Sequence, residues 1–160
     1  MRVAWLVAII AACGGDVDGD TGEPLGVCEG GGAAGLMVGS GGMSGFGGWG
    51  DGDAAELTLD SAGAAGFRLE FNSDGLDTNE SVNAVVAISF PGRANSETYL
   101  AGLSLQCDEG PGWAATFAPL PDDVAVAGLD AATIDIVATM TDHRGISATT
   151  SVAVVVRDAT

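Results

Sequence analysis

From residue 55 onward the chain alternates apolar and polar side chains with a period of two, the mark of strands that bury one face. ELTLD (56–60) alternates, and FRLEF (67–71) sets Phe67, Leu69 and Phe71 on one face against Arg68 and Glu70 on the other. VNAVVAISF (82–90) runs into the turn signal Pro91-Gly92. TYLAGLSLQC (98–107) puts Tyr99, Ala101, Leu103, Leu105 and Cys107 on one face, with Leu100, Gly102 and Ser104 on the other. WAATFA (113–118) is stopped by the prolines of PLPDD, which cannot donate to a ladder. TIDIVATMTDHRGISATTSVAVVV (133–156) predicts a hairpin. Ile134, Ile136, Ala138 and Met140 point inward, Asp142-His143-Arg144-Gly145 turns, and Ile146, Ala148, Thr150, Val152, Val154 and Val156 return. No stretch keeps a helical period, so the predicted fold is all-β, an antiparallel β-sandwich of about seven to eight strands.

Upstream the pattern changes twice. Residues 30–52 are about half glycine yet carry Leu36, Met37, Val38, Phe46 and Trp49, side chains that a pure linker does not need. They predict an edge strand near 35–39, then a glycine-rich loop (39–54) whose aromatics fold back onto the domain; a disordered extension is the alternative. Before that, Met1-Arg2 precedes an apolar block, Val3 to Ala12, well short of the ~20 residues that cross a bilayer. It has the proportions of a secretory leader. The block ends Ile10-Ala11-Ala12-Cys13 and resembles the lipobox of bacterial lipoproteins. That resemblance implies a signal peptide at 1–12, cleavage before Cys13, and diacylglycerol on the Cys13 sulfur. A cysteine thiolate is a suitable nucleophile for the thioether, and two or three acyl chains, palmitate among them, hold where one is marginal. The acidic, glycine-rich run 13–34 then serves as a solvated tether, and 35–160 forms one domain. An ordinary cleaved leader with a chance cysteine is the competing reading. Gly14 after the cysteine, rather than aspartate, leans towards the outer membrane or cell surface.

The segment GLDAATIDIVATMTDHRGISATTSVAVVV looks like the last two strands of bacterial immunoglobulin-like domains, and implies that topology for the whole. The chain is also similar to lipoproteins of GC-rich Gram-negative bacteria that share a DGD loop, here Asp51-Gly52-Asp53, and a GLD corner, here Gly75-Leu76-Asp77. That similarity implies no activity.

Charge narrows the partners. The chain has 22 acidic and 5 basic residues, a net charge of -17, and no lysine. Such a surface repels nucleic acid and recruits no anionic headgroups, so contact with the membrane is expected through the lipid anchor alone. The partner is then an unidentified protein, a glycan or the envelope itself, and the molecule is expected to be a monomer. With Cys13 lipidated in an oxidising compartment, Cys28 and Cys107 are expected to form a disulfide. It closes a loop of roughly 80 residues, worth ~4–5 kcal/mol in the chain-entropy model.

Catalytic constellations are poorly represented. Gly30-x-Gly32-x-x-Gly35 and Gly45-x-Gly47-x-x-Gly50 match a dinucleotide fingerprint in letter, but neither opens a helix. His143, the one histidine, sits in a turn, and no G-x-S-x-G, HExxH or CxxC occurs. The expectation is a non-enzymatic protein without a cofactor; a hydrolase built on paired carboxylates is the remotest alternative. Calcium is the one cofactor with candidate ligands: Asp51 and Asp53 in GDGDAAE, and Asp74, Asp77 and Glu80 in SDGLDTNE, as in cadherin-like adhesion modules. Against it, aspartate and glycine are ordinary turn formers. DVDGDTGE spaces Asp16, Asp18 and Asp20 like a calcium loop but has Thr21 where the sharp turn needs glycine.

Overall fold

The computed structural model describes residues 33–42, 45–107 and 110–158. The leader, Cys13, the tether and Cys28 lie outside the described residues. Among the described residues there are nine strands: β1 (Gly35–Ser40), β2 (Gly47–Gly48), β3 (Ala54–Leu59), β4 (Ala65–Asp74), β5 (Val82–Ser89), β6 (Glu97–Leu103), β7 (Gly112–Pro119), β8 (Thr133–Thr141) and β9 (Ser147–Asp158). The only helical element among the described residues is a single 3-10 turn at Val126–Gly128. The protein is all-β, as the period-two pattern predicts.

Alternation fixes which side of each strand is inside. β5 buries Val82, Ala84, Val86 and Ile88, and β8 buries Ile134, Ile136, Ala138 and Met140. One cluster gathers these with Phe67, Leu69 and Phe71 of β4 and Val152, Val154 and Val156 of β9. The hairpin turn forms where predicted: Asp142 N–H donates to the Ile146 carbonyl at 2.9 Å, and Gly145 supplies the positive φ, 82°.

The strands form one hydrogen-bonded sheet in the order β2-β1-β4-β3-β9-β8-β5-β6, with β7 on the other edge of β4. All pairings are antiparallel except β3 with β9, which run parallel over Ala54–Leu57 and Val155–Asp158. The sheet is therefore mixed rather than purely antiparallel. The cause lies in β4, whose one edge is shared by two successive strands. β1 pairs with Glu70–Asp74 and β3 with Ala65–Phe67. Having followed β1 along β4, β3 keeps its direction when it reaches β9, and so meets it in parallel.

Three positions are more exposed than the alternation predicts. Leu59, expected to follow Leu57 inward, is 71% exposed, because β3 ends there at the turn held by Asp60. Ile146, at the tip of the β8–β9 hairpin, is exposed as well. Cys107 does not continue the buried face of Leu103 and Leu105, because β6 stops at Leu103 and Gln106 only bridges to Trp113.

Candidate functional site

A cleft of about 470 Å3 opens beside the glycine-rich loop. Its origin is a gap in the ladder on β4. Gly39 is opposite Glu70 and Leu57 is opposite Phe67, so only Arg68 and Leu69 separate the two partners on that edge. The chain could cross that gap as one continuous strand. Instead it makes a detour through residues 40–56, and the cleft opens between the two ends of the detour. Ser40, Gly41 and Gly42 form one side, Trp49 and Ala54 another, and Glu56, Thr58, Arg68 and Glu70 complete the lining.

Glu70 sets the shape. As predicted it shares the outward face of β4 with Arg68, yet it is only 3% exposed, because the glycine loop lies over it. Its carboxylate accepts a hydrogen bond from Gly42 N–H and an ion pair from Arg68 Nε at 2.9 Å. A buried carboxylate held by a backbone donor and a guanidinium is compensated rather than orphaned. On the same side, Gly39 has no room for a side chain: a Cβ there would run into the Gly47 carbonyl of β2. Trp49 is half-buried against the core, and its N–H donates to the Val38 carbonyl at 2.8 Å. A second cleft of about 410 Å3 shares Thr58 and Arg68 with the first and continues past Leu59, Asp60, Thr116 and Phe117.

Three of the five carboxylates expected as calcium ligands, Asp51, Asp53 and Asp77, accept backbone hydrogen bonds. Asp51 Oδ1 accepts from Ala153 N–H at 3.0 Å, tying the loop to the edge of β9, and Asp53 Oδ2 accepts from Gly50 N–H at 2.7 Å. Asp74 is half-buried where β4 ends and Glu80 is exposed, while Asp77 turns inward and is 1% exposed. Among the described residues no three Asp, Glu, His or Cys side chains gather in a way that could hold a metal ion.

Asp77 instead meets the β8–β9 turn. Its N–H donates to Asp142 Oδ2 at 3.1 Å, and its own Oδ1 accepts from Asn79 N–H at 2.9 Å. Its Oδ2 has no hydrogen-bond partner and lies 3.5 Å from Arg144 Nε and 3.7 Å from His143 Nε2. His143, which the sequence reading places in the turn as a spacer, thus lies beside a buried carboxylate. Asp142 also accepts from Arg144 N–H and Ile146 N–H, each at 2.9 Å, and from the Arg144 guanidinium. Burial alone would raise its pKa; the N–H groups of Asp77 and Ile146, with Arg144, outweigh that and lower it to about 2.

Cys107 is exposed and is not a free thiol. The pairing expected with Cys28 lies outside the described residues. Gly45-x-Gly47-x-x-Gly50 lies in the β2 segment, which leads into β3 and not into a helix.

Sequence reasoning missed the cleft. It set Arg68 and Glu70 on one face of a strand and folded the aromatics of the glycine-rich loop back onto the domain, without bringing the two together. The usable signal was Trp49 inside a glycine tract, an aromatic placed where chain flexibility alone would have no need of it. No protein-family model, curated protein or solved structure matches the chain.

Proposed function

We infer that the protein is a lipid-anchored, non-enzymatic binding domain of a bacterial cell envelope. The observation that carries this reading is Ile10-Ala11-Ala12-Cys13 at the end of a short apolar leader, followed at once by an acidic, glycine-rich run. A described all-β domain whose first strand starts at Gly35 fits a tether of the expected length. In this reading the two arms of the sheet, β7-β4-β1 and β9-β8-β5-β6, are the layers of an immunoglobulin-like sandwich, and β3 joins them. The single core shared by both arms supports that layering. Cys28 joins Cys107 and clips the end of the tether to the domain. The outer membrane or the cell surface is the site of anchoring.

Radiolabelled palmitate tests the anchor. In an exporting bacterium the chain is expected to take up the label and to fractionate with membranes, and Cys13→Ser is expected to abolish both. Label retained by the Cys13→Ser protein, or none in the parent, refutes the anchor.

The calcium-dependent adhesion module makes a separate demand. A ligand that binds only the folded state raises Tm. Asp51, Asp53 and Asp77 are committed to backbone donors, so melting scans in millimolar calcium and in chelator are expected to coincide. A rise of several degrees with calcium would reinstate that module.

A further inference from the structure

We propose that the groove running from Trp49 to Phe117 is a binding site for a neutral oligosaccharide chain. The inference deepens the binding role proposed above and is independent of the lipid anchor. It starts from the detour. Ordering residues 40–42 and 45–56, seven of them glycine, costs conformational entropy, most of all at the glycines, and a strand continued across Arg68 and Leu69 would avoid that. What the detour adds to the molecule is the cleft and its Trp49 wall. The volume of about 470 Å3 lies in the range of small-ligand sites.

The lining selects the ligand class. Trp49 offers an aromatic surface for the apolar face of a sugar ring. Glu56 is an exposed carboxylate, an acceptor for paired hydroxyls, and Ser40 and Thr58 add hydroxyls that both donate and accept. Arg68 spends Nε on Glu70 while its side chain stays 59% exposed, which makes it a donor at the floor of the groove. Anionic ligands are disfavoured, because two carboxylates line the first cleft against one guanidinium that is already paired, on a chain of net charge -17. A cationic ligand is the charged competitor that Glu56 could attract, and spermidine tests it below. A neutral ligand rich in hydroxyls avoids both penalties. The second cleft shares Thr58 and Arg68 and extends the groove to exposed Leu59 and half-buried Phe117. Two adjoining clefts, one lined by Trp49 and the other by Phe117, fit several linked sugar units better than one.

The test is calorimetric titration of the full-length protein in mild detergent with cellohexaose, maltohexaose and chitohexaose, alongside polygalacturonate and spermidine. At least one neutral hexasaccharide is expected to bind saturably, and the two charged probes are expected not to. Trp49→Ala is expected to weaken binding about tenfold or more, the scale of an aromatic anchor. Because Trp49 also packs on the core, Glu56→Gln serves as the second variant. It alters an exposed side chain, and is expected to weaken binding about threefold with Tm unchanged. Binding of none of the three neutral sugars, tighter binding of either charged probe, or affinity that survives both substitutions overturns the proposal. The lipid plays no part in the titration, so a failure of the anchor and a failure of the groove give distinct results.

Discussion

Replacing Asp142 by alanine is expected to destabilise the fold by about 3 kcal/mol, the loss being read from chemical denaturation midpoints at neutral pH. The residue is 3% exposed and its carboxylate receives the N–H groups of Asp77, Arg144 and Ile146 together with the Arg144 guanidinium. Each buried donor left without an acceptor costs ~1–3 kcal/mol, and water recovers part of that at an exposed hairpin tip. Asp142→Asn is expected to fall between alanine and the parent. Its carbonyl oxygen can still serve Arg144 and Ile146, but its amide group then faces the Asp77 N–H as a second donor. The charge has its own signature. The folded pKa, about 2, lies below the ordinary aspartate value of 3.8, so the stabilisation is complete above the unfolded value and fades as pH falls from about 4 towards 2. The amount is on the order of 2 kcal/mol. Stability of the Asp142→Ala protein is expected to lack that component of the acid slope; an unchanged slope would refute the assignment.

Phe71→Ala is expected to cost about 4 kcal/mol, among the larger effects of any single truncation in this core. Phe71 is fully buried in β4, opposite Val38 of β1 on one side and Ala114 of β7 on the other. Both neighbours are too small to fill the space a phenyl ring leaves, so the cavity persists and adds its cost to the lost transfer energy. The denaturation midpoint is expected to fall with little change in slope. Leu100→Ala, 78% exposed on β6, provides the contrast and is expected to stay within about 0.5 kcal/mol of the parent.

The strands were legible because a half-buried strand writes its burial into every second residue. In β8 the residues that read as inward, Ile134, Ile136, Ala138 and Met140, are the ones at or near zero exposure. The hairpin at Asp142–Gly145 was legible too, since its turn residues act locally. The parallel contact of β3 with β9 was not, because nothing in ELTLD distinguishes a strand meeting one neighbour from a strand bridging two. Glu70 escaped for a related reason: its burial comes from a loop of glycines, which carry no pattern of their own. The acidic clusters at 51–53 and 74–80 pointed to metal ligands or turn formers alike. Only placement separates these, and Asp51, Asp53 and Asp77 are spent on neighbouring backbone.

The parallel seam also bears on the order in which the molecule can assemble. It joins residues 54–57 to 155–158, so roughly a hundred residues must be synthesised, and in an exported chain carried across the membrane, after one half of the seam before the other half exists. Until then β3 has β4 alone to hold it, and β9's future edge partner waits uncovered. Incomplete chains should therefore be the vulnerable population, depending on holdase chaperones for protection that the finished domain supplies for itself.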